Sequence, residues 1–325
     1  MAQQGGKSGA FGPRVIVIGN HKGGCGKSTV ATHVIVALLQ EGKRVAALDL
    51  DVEQQSLTRY LENRHAWSRA HGIKLAIPDL LPAKMIAGEG FGQNPAADAT
   101  EFAIILCKLR ERYDFVVIDT PSGGAYLSLV AHSMADTLLT PINDSFVDLD
   151  LIGTIGPATD FAPRRTRYRE TVSNAAALRA AICGLMTEWM VIRNRLSATS
   201  TRNERQVGEL LEAMAPAIGF RLASGLVERV IYREFFPVGL TAFDPLDEAV
   251  LGLKPTMSHL MARREVRSLV TEIGLLPGEK AAETAEDSLA KIVGDLRMPP
   301  APQLAGSSQL AVNDNDRISP SVTAE

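Results

Sequence analysis

The segment His21–Thr29, HKGGCGKST, constrains this chain more than any other. It follows an apolar β-branched run, Arg14 to Ile18, and opens a stretch of helical length, STVATHVIVALLQ, with Gly42 as a stop signal. A strand feeding a Gly-rich turn and then a helix turns backbone N–H groups toward an anion, and the helix N-terminus adds positive potential. Lys27 is the residue to reach the β- and γ-phosphates of a nucleotide, and the Ser28 hydroxyl the one to bind Mg²⁺. The strict G-x-x-x-x-G-K-[ST] pattern is broken, because His21 stands at its first glycine and Lys22 follows.

RVAALDL (44–50) reads as a second buried strand, and it completes a βαβ unit. FVVID (115–119), TLLTPI (137–142) and WMVIR (189–193) are further buried-strand candidates, separated by helical stretches near 54–70, 100–112, 125–134 and 200–215. This alternation predicts an α/β fold, a mainly parallel twisted sheet with helices on both faces. We expect a flexible arm at residues 1–13, a phosphate-loop domain at 14–277, and an acidic, Pro/Ser-rich, largely disordered tail at 278–325. SLAKIVGDLR (288–297) is one short amphipathic helix candidate in that tail, and residues 76–97, rich in Pro, Gly and Ala, read as a long loop or insertion. The chain lacks an apolar run of about eighteen residues, which argues against a membrane-spanning helix. A net charge of −3 excludes a uniformly basic molecule but allows local basic patches. Cys25, Cys107 and Cys183 form no C-x-x-C, which argues for a reduced cytoplasmic protein over a metal scaffold.

The acids at strand ends complete the chemistry. In LDLD (48–51), Asp49 and Asp51 end a strand beside the predicted phosphates, and the strand that opens FVVIDTPSG ends in Asp119, a carboxylate placed as in a Walker B strand. Gly123 and Gly124 then permit a switch loop to move with the γ-phosphate. We expect His21 to be a solvent-facing loop histidine and Cys25 a small residue tolerated at a variable loop position.

Lys22-Gly-Gly-x-Gly-Lys-Ser resembles the deviant Walker A motif of the ParA/MinD superfamily of P-loop NTPases. The resemblance implies that Lys22 crosses a dimer interface to the partner's nucleotide and that Asp51 orients the attacking water. It also implies ATP contacts from Lys22, Gly23, Gly24, Cys25, Gly26, Lys27, Ser28 and Thr29, with Ser28, Asp49 and Asp119 around Mg²⁺. Asn194, in MVIRNRL, matches an asparagine that recognises the base, and a capping or turn asparagine is the alternative.

The segments GNHKGGCGKST, LDLDVEQQSLTRYLENR, TPINDSFVDLDLIGT, VIRNRL and VIYREFFPVGLTAFD, spread over residues 19–244, resemble the MipZ division-site-positioning ATPases. That implies a weak Mg-dependent ATPase that dimerises with ATP, binds DNA non-specifically as a dimer, meets a ParB-like centromere-binding protein and inhibits FtsZ assembly. It further implies a cytoplasmic, nucleoid-associated protein concentrated toward the cell poles. Arg193, Arg195, Arg202 and Arg205 are the DNA candidates, and Arg164, Arg165, Arg167 and Arg169 form a second cluster. Glu204, Glu209 and Glu212 make a solvated mixed-charge helix the alternative for the first group. A ParA-type partition ATPase, a MinD-like membrane-recruited regulator and a reductase of the nitrogenase type remain as other readings; the acidic tail argues against the second and the cysteine positions against the third.

Overall fold

The β-branched runs assemble into one sheet because each is apolar on both faces and must be covered twice. The computed structural model describes residues 13–81, 94–109, 111–124, 126–153, 165–197, 199 and 201–275. Its elements are β1 (Arg14–Ile18), α1 (Lys27–Gln40), β2 (Val45–Asp49), α2 (Ser56–His71), β3 (Asp79–Leu81), α3 (Pro95–Leu109), β4 (Phe115–Asp119), α4 (Tyr126–Met134) and β5 (Thr137–Asn143). They continue with α5 (Phe146–Ile152), α6 (Arg167–Cys183), β6 (Glu188–Leu196), α7 (Arg202–Ile218), β7 (Arg221–Val227), α8 (Ile231–Val238), α9 (Glu248–Leu251) and α10 (Met257–Glu272).

The seven strands lie in the order β3-β2-β4-β1-β5-β6-β7, every pairing parallel. Alternate residues of each strand divide between two cores, as the two-residue period of a strand requires. Ile16, Ile18, Val117, Leu139 and Ile192 face α1, α2, α8 and α10, whereas Val15, Val17, Val116, Ile118 and Val191 face α3 to α7. Because all strands run one way, their C-terminal ends share one edge. Ile18 and Asp49 both stand in register with Asp119, and Asn143 with Asn194. The chain leaves central β1 toward β2 and returns later to β5 on the other side. The edge beside β1 is therefore a topological switch point, where open α/β sheets bind ligands.

The mainly parallel sheet with helices on both faces agrees with the expectation, and one local reading needs correction. Residues 76–97 are not wholly loop: Asp79–Leu81 add an edge strand to β2, and α3 begins at Pro95. Three residues carry no period of their own, so pairing with β2 decides that strand. The strand β7 and the helices α5, α6, α8, α9 and α10 add to the elements read from sequence. The N-terminal arm up to residue 12, residues 82–93, Arg164, and the tail from 276 onward, including 288–297, lie outside the described residues. Among the described residues no helix is long and apolar enough to cross a membrane.

A buried ion pair fastens α2 to the segment after α8. Arg64 and Asp244 are both fully buried; the guanidinium meets the carboxylate oxygens at 2.8 and 2.6 Å and also donates to the carbonyls of Ala76 and Gly239. His33 of α1 joins the same segment, its Nδ1–H on the Thr29 carbonyl at 2.8 Å and its Nε2 accepting from the Ala242 N–H at 3.2 Å. Those two partners define the neutral tautomer, and burial lowers its pKa to about 4.

Candidate nucleotide site

The Gly-rich loop leaves β1 through Asn20, whose side chain donates to the Pro141 carbonyl at 2.7 Å and accepts from the Lys22 N–H at 2.9 Å. It enters α1 at Gly26, which has φ 92° and supplies no side-chain cap. The first amides of α1 are thus left without a cap, the condition for an anion site at a helix start. Only glycine fits at 26: a Cβ there would come within 2.2 Å of the Asn194 amide nitrogen. That nitrogen donates to the Cys25 carbonyl at 2.7 Å, binding the loop to β6. The Lys27 side chain curls back over the loop, Nζ on the Lys22 carbonyl at 3.0 Å. The Cys25 thiol is fully buried, sits 3.4 Å from the Lys22 carbonyl and is pushed to a higher pKa by burial, which describes an inert thiol rather than a nucleophile.

Asp119 lies beneath the loop, 1% exposed, with one carboxylate oxygen lacking a protein partner. Its pKa is pushed up to about 7, first by burial and further by the charges of Asp49 and Asp51, against a hydrogen bond from Ser28 that lowers it. An orphaned buried oxygen beside the Ser28 hydroxyl suits a hard divalent cation such as Mg²⁺, which takes most of its ligands from phosphates and water. Asp49 has protein partners of its own: one oxygen accepts from the Asp51 N–H at 3.0 Å, the other from Thr58 N and Oγ1 at 2.9 and 3.0 Å. It therefore shapes the loop that carries Asp51. Asp51 itself is half-buried and accepts from the Gln54 N–H at 3.0 Å, in a turn closed by left-handed Gln55 at φ 48°.

The signature lysine has a partner that sequence reading missed. Lys22 Nζ pairs with Asp148 of α5, a fully buried carboxylate whose other oxygen accepts from the Asn143 N–H at 2.8 Å. In the isolated chain Lys22 is thus held within its own subunit. His21 also departs from expectation: its ring is half-buried and packs edge-on against Tyr168, centroids 4.9 Å apart, instead of facing solvent. A loop position carries no local pattern that foretells this, since Tyr168 lies far along the chain.

Next to the loop opens a cavity of about 110 Å³, lined among others by Gly26, Thr29, Asn194, Arg195, Arg229 and Tyr232. Arg195 is an exposed non-glycine residue with φ 57°, at an irregularity in the β6–β7 pairing that presents Asn194 to the loop. The four arginines proposed for DNA do not form one equivalent group. Arg193 is largely enclosed, paired with Asp144 at 2.6 Å and donating to the Glu204 carbonyl at 2.7 Å, which leaves it little freedom for a polyanion. Arg202 and Arg205 are exposed on the first turn of α7, near-neighbours at three-residue spacing. In the second cluster Arg165 and Arg167 are exposed at the start of α6.

A Gly-rich loop with two lysines, at the switch point of a parallel sheet and over a buried acid, defines a P-loop NTPase of the ParA/MinD type. Two solved structures share the fold at low identity: the ATP complex of an McdA variant from Cyanothece, with TM-score 0.56, 16% identity and coverage of 82% of this chain and 99% of that one, and a putative plasmid partition protein of Borrelia burgdorferi bound to AMPPNP, with TM-score 0.51, 17% identity and coverage of 80% and 97%. The model of the family described as ATPase MipZ matches residues 14–277, and the chain belongs to that family. More distant likenesses are the septum site-determining protein MinD of Helicobacter pylori, 27% identical over 46% of this chain and 62% of that protein, and the chromosome partitioning protein ParA of Myxococcus xanthus, 27% identical over 42% and 54%. The chain thus spans roughly half the length of such relatives.

Proposed function

We propose that the chain is an ATP-dependent dimerisation switch that binds DNA non-specifically as a dimer and positions the division site by inhibiting FtsZ assembly. The observation that carries this reading is the pair of lysines on one loop with different commitments. Lys27 bends into the loop, whereas Lys22 leans out of it onto Asp148, from which it can exchange to a partner's phosphates. ATP lies along the loop, its phosphates on the amides of residues 23–29 and on Lys27, and its base in the cavity beside Asn194. Ser28 and Asp119 are the residues to hold Mg²⁺, which supplies charge neutralisation on the phosphates. Asp51 orients the water that attacks the γ-phosphoryl group, so hydrolysis yields ADP and phosphate and returns monomers.

The exposed arginines of α7, with Arg195 and the first turn of α6, are the surface for the DNA backbone, and a dimer doubles each patch. A ParB-like protein and FtsZ are the protein partners of this reading, and the nucleoid and the cell poles its location. The test is light scattering after size exclusion in ADP and in a non-hydrolysable ATP analogue with Mg²⁺, followed by DNA and FtsZ assays. A monomer that dimerises only with the analogue is expected; one fixed oligomeric state in both nucleotides rejects the switch. Asp51→Ala is expected to bind ATP, lose hydrolysis and accumulate dimers, and an unchanged hydrolysis rate removes Asp51 from the mechanism.

A further inference from the structure

His21 occupies the position where the strict loop pattern has glycine, and it joins three parts of the molecule. Its carbonyl accepts the Gly123 N–H at 2.7 Å. Its ring covers Gly124, where a Cβ would come within 2.9 Å of the imidazole. Gly123 and Gly124 have φ of 85° and 71°, a conformation that glycine adopts at little cost and can leave as easily. The ring also makes a T-shaped contact with Tyr168, centroids 4.9 Å apart. Tyr168 donates to the Gly19 carbonyl at 2.7 Å and accepts from the Thr140 hydroxyl, which in turn accepts from the Trp189 indole N–H at 2.9 Å. The His21 Nε2 atom is buried without a protein partner. Burial, then the charges of Arg167 and Lys27, lowers its pKa.

We propose that His21 is a positioning residue, a latch that holds residues 120–124 against the start of the phosphate loop and lets them go when a γ-phosphate draws them in. The inference rests on the ATPase reading above. A backbone N–H has one hydrogen to donate, so while Gly123 gives it to His21 it cannot give it to a phosphate oxygen. Segments beside a γ-phosphate are known to order on its contacts and to be released on hydrolysis. The backbone bond is available to any residue at position 21. The ring is what His21 adds, filling the space over Gly124 and keeping the exchange from occurring without ligand. Because the same ring touches Tyr168, its release alters the Tyr168–Thr140–Trp189 chain, and Trp189 serves as a built-in reporter.

The test uses the full chain with ATP and Mg²⁺, measuring kcat and KM for hydrolysis and Trp189 emission in a Trp67→Phe background. His21→Ala is expected to raise kcat about two- to tenfold, the range one edge-on ring contact is worth, at unchanged KM. It also loses the difference in Trp189 emission between ADP and a non-hydrolysable ATP analogue. His21→Phe, which keeps ring bulk without the nitrogens, restores both wild-type behaviours. His21→Ala with wild-type kcat and emission change overturns the latch, as does a fall in kcat matched by a rise in KM. A His21→Phe protein that behaves like His21→Ala also overturns it. Should wild type itself fail to hydrolyse ATP, the ATPase reading falls first and the latch with it.

Discussion

Replacing Asp148 with Asn probes the commitment of Lys22 most directly. The amide keeps an oxygen to accept the Asn143 N–H at nearly the same volume, and puts a neutral N–H₂ group where the charged acceptor oxygen held Lys22. Asp148 is fully buried, but the Lys22 side chain is 37% exposed, so solvent screening brings the pair toward the value of a surface bridge. We take about 1 kcal/mol per chain. Two chains release Lys22 when a dimer forms, so the variant is expected to lower the cost of dimerisation by about 2 kcal/mol, roughly thirtyfold in Kd. Sedimentation equilibrium with ATP, in an Asp51→Ala background to prevent turnover, measures that constant. The monomer in ADP loses the same ~1 kcal/mol, which lowers its Tm by roughly 2–4 °C for a domain of this size. Raising salt draws wild type toward the variant, because the half-exposed pair is screened. An equal or weaker dimer constant for the variant refutes the view that Asp148 restrains Lys22 against dimerisation.

Three further outcomes are expected. Gly26→Ala weakens nucleotide binding more than Gly24→Ala in a fluorescent-nucleotide titration: both carry left-handed strain of ~1–2 kcal/mol, but only the Cβ at 26 collides with Asn194, at 2.2 Å, whereas that at 24 meets nothing within 4 Å. Arg64→Met leaves Asp244 buried without its cation and costs about 3–5 kcal/mol in denaturant unfolding. Arg64→Lys does not rescue it, since an ammonium cannot form the paired contacts. Apo-protein stability falls on acidification from about pH 6.5 toward 4, followed by thermal melts. His33 and His132, depressed to about 4 and about 3 chiefly by burial, are each protonated in the unfolded chain and neutral in the folded one across that window. Asp119, raised to about 7, acts oppositely, so these three groups together leave one proton's worth, about 1.4 kcal/mol per pH unit; a flat or reversed slope contradicts these burial effects.

Much of the candidate site was legible because its signals are local. Lys27 and Ser28 follow from a strand end, a Gly-rich turn and a helix start within a few residues of each other, and Asp119 from the end of its own apolar strand. What escaped reading consists of pairings between distant segments. Asp148 lies 126 residues from Lys22, and nothing in FVDLDLI distinguishes it from Asp150, the next acid of the same short helix. The cavity wall of Arg229 and Tyr232 follows β7, whose mixed RLASGLV sequence lacks the apolar run that betrayed the central strands. Arg193 looked like one basic residue among several until β6 brought it to Asp144 of the β5 end.

The sequence by itself determined the phosphate loop, the two lysines, the buried central strands and the acids at their ends, because strands covered on both faces and glycine-rich turns impose their chemistry over short spans. Only the tertiary structure decided the strand order around β1, the hold of Asp148 on Lys22, the clasp of Asn194 on Cys25 and the packing of His21 against Tyr168. Those depend on which side chains the packed sheet brings to one edge, and residues more than a hundred positions apart meet there without any local period that encodes the meeting.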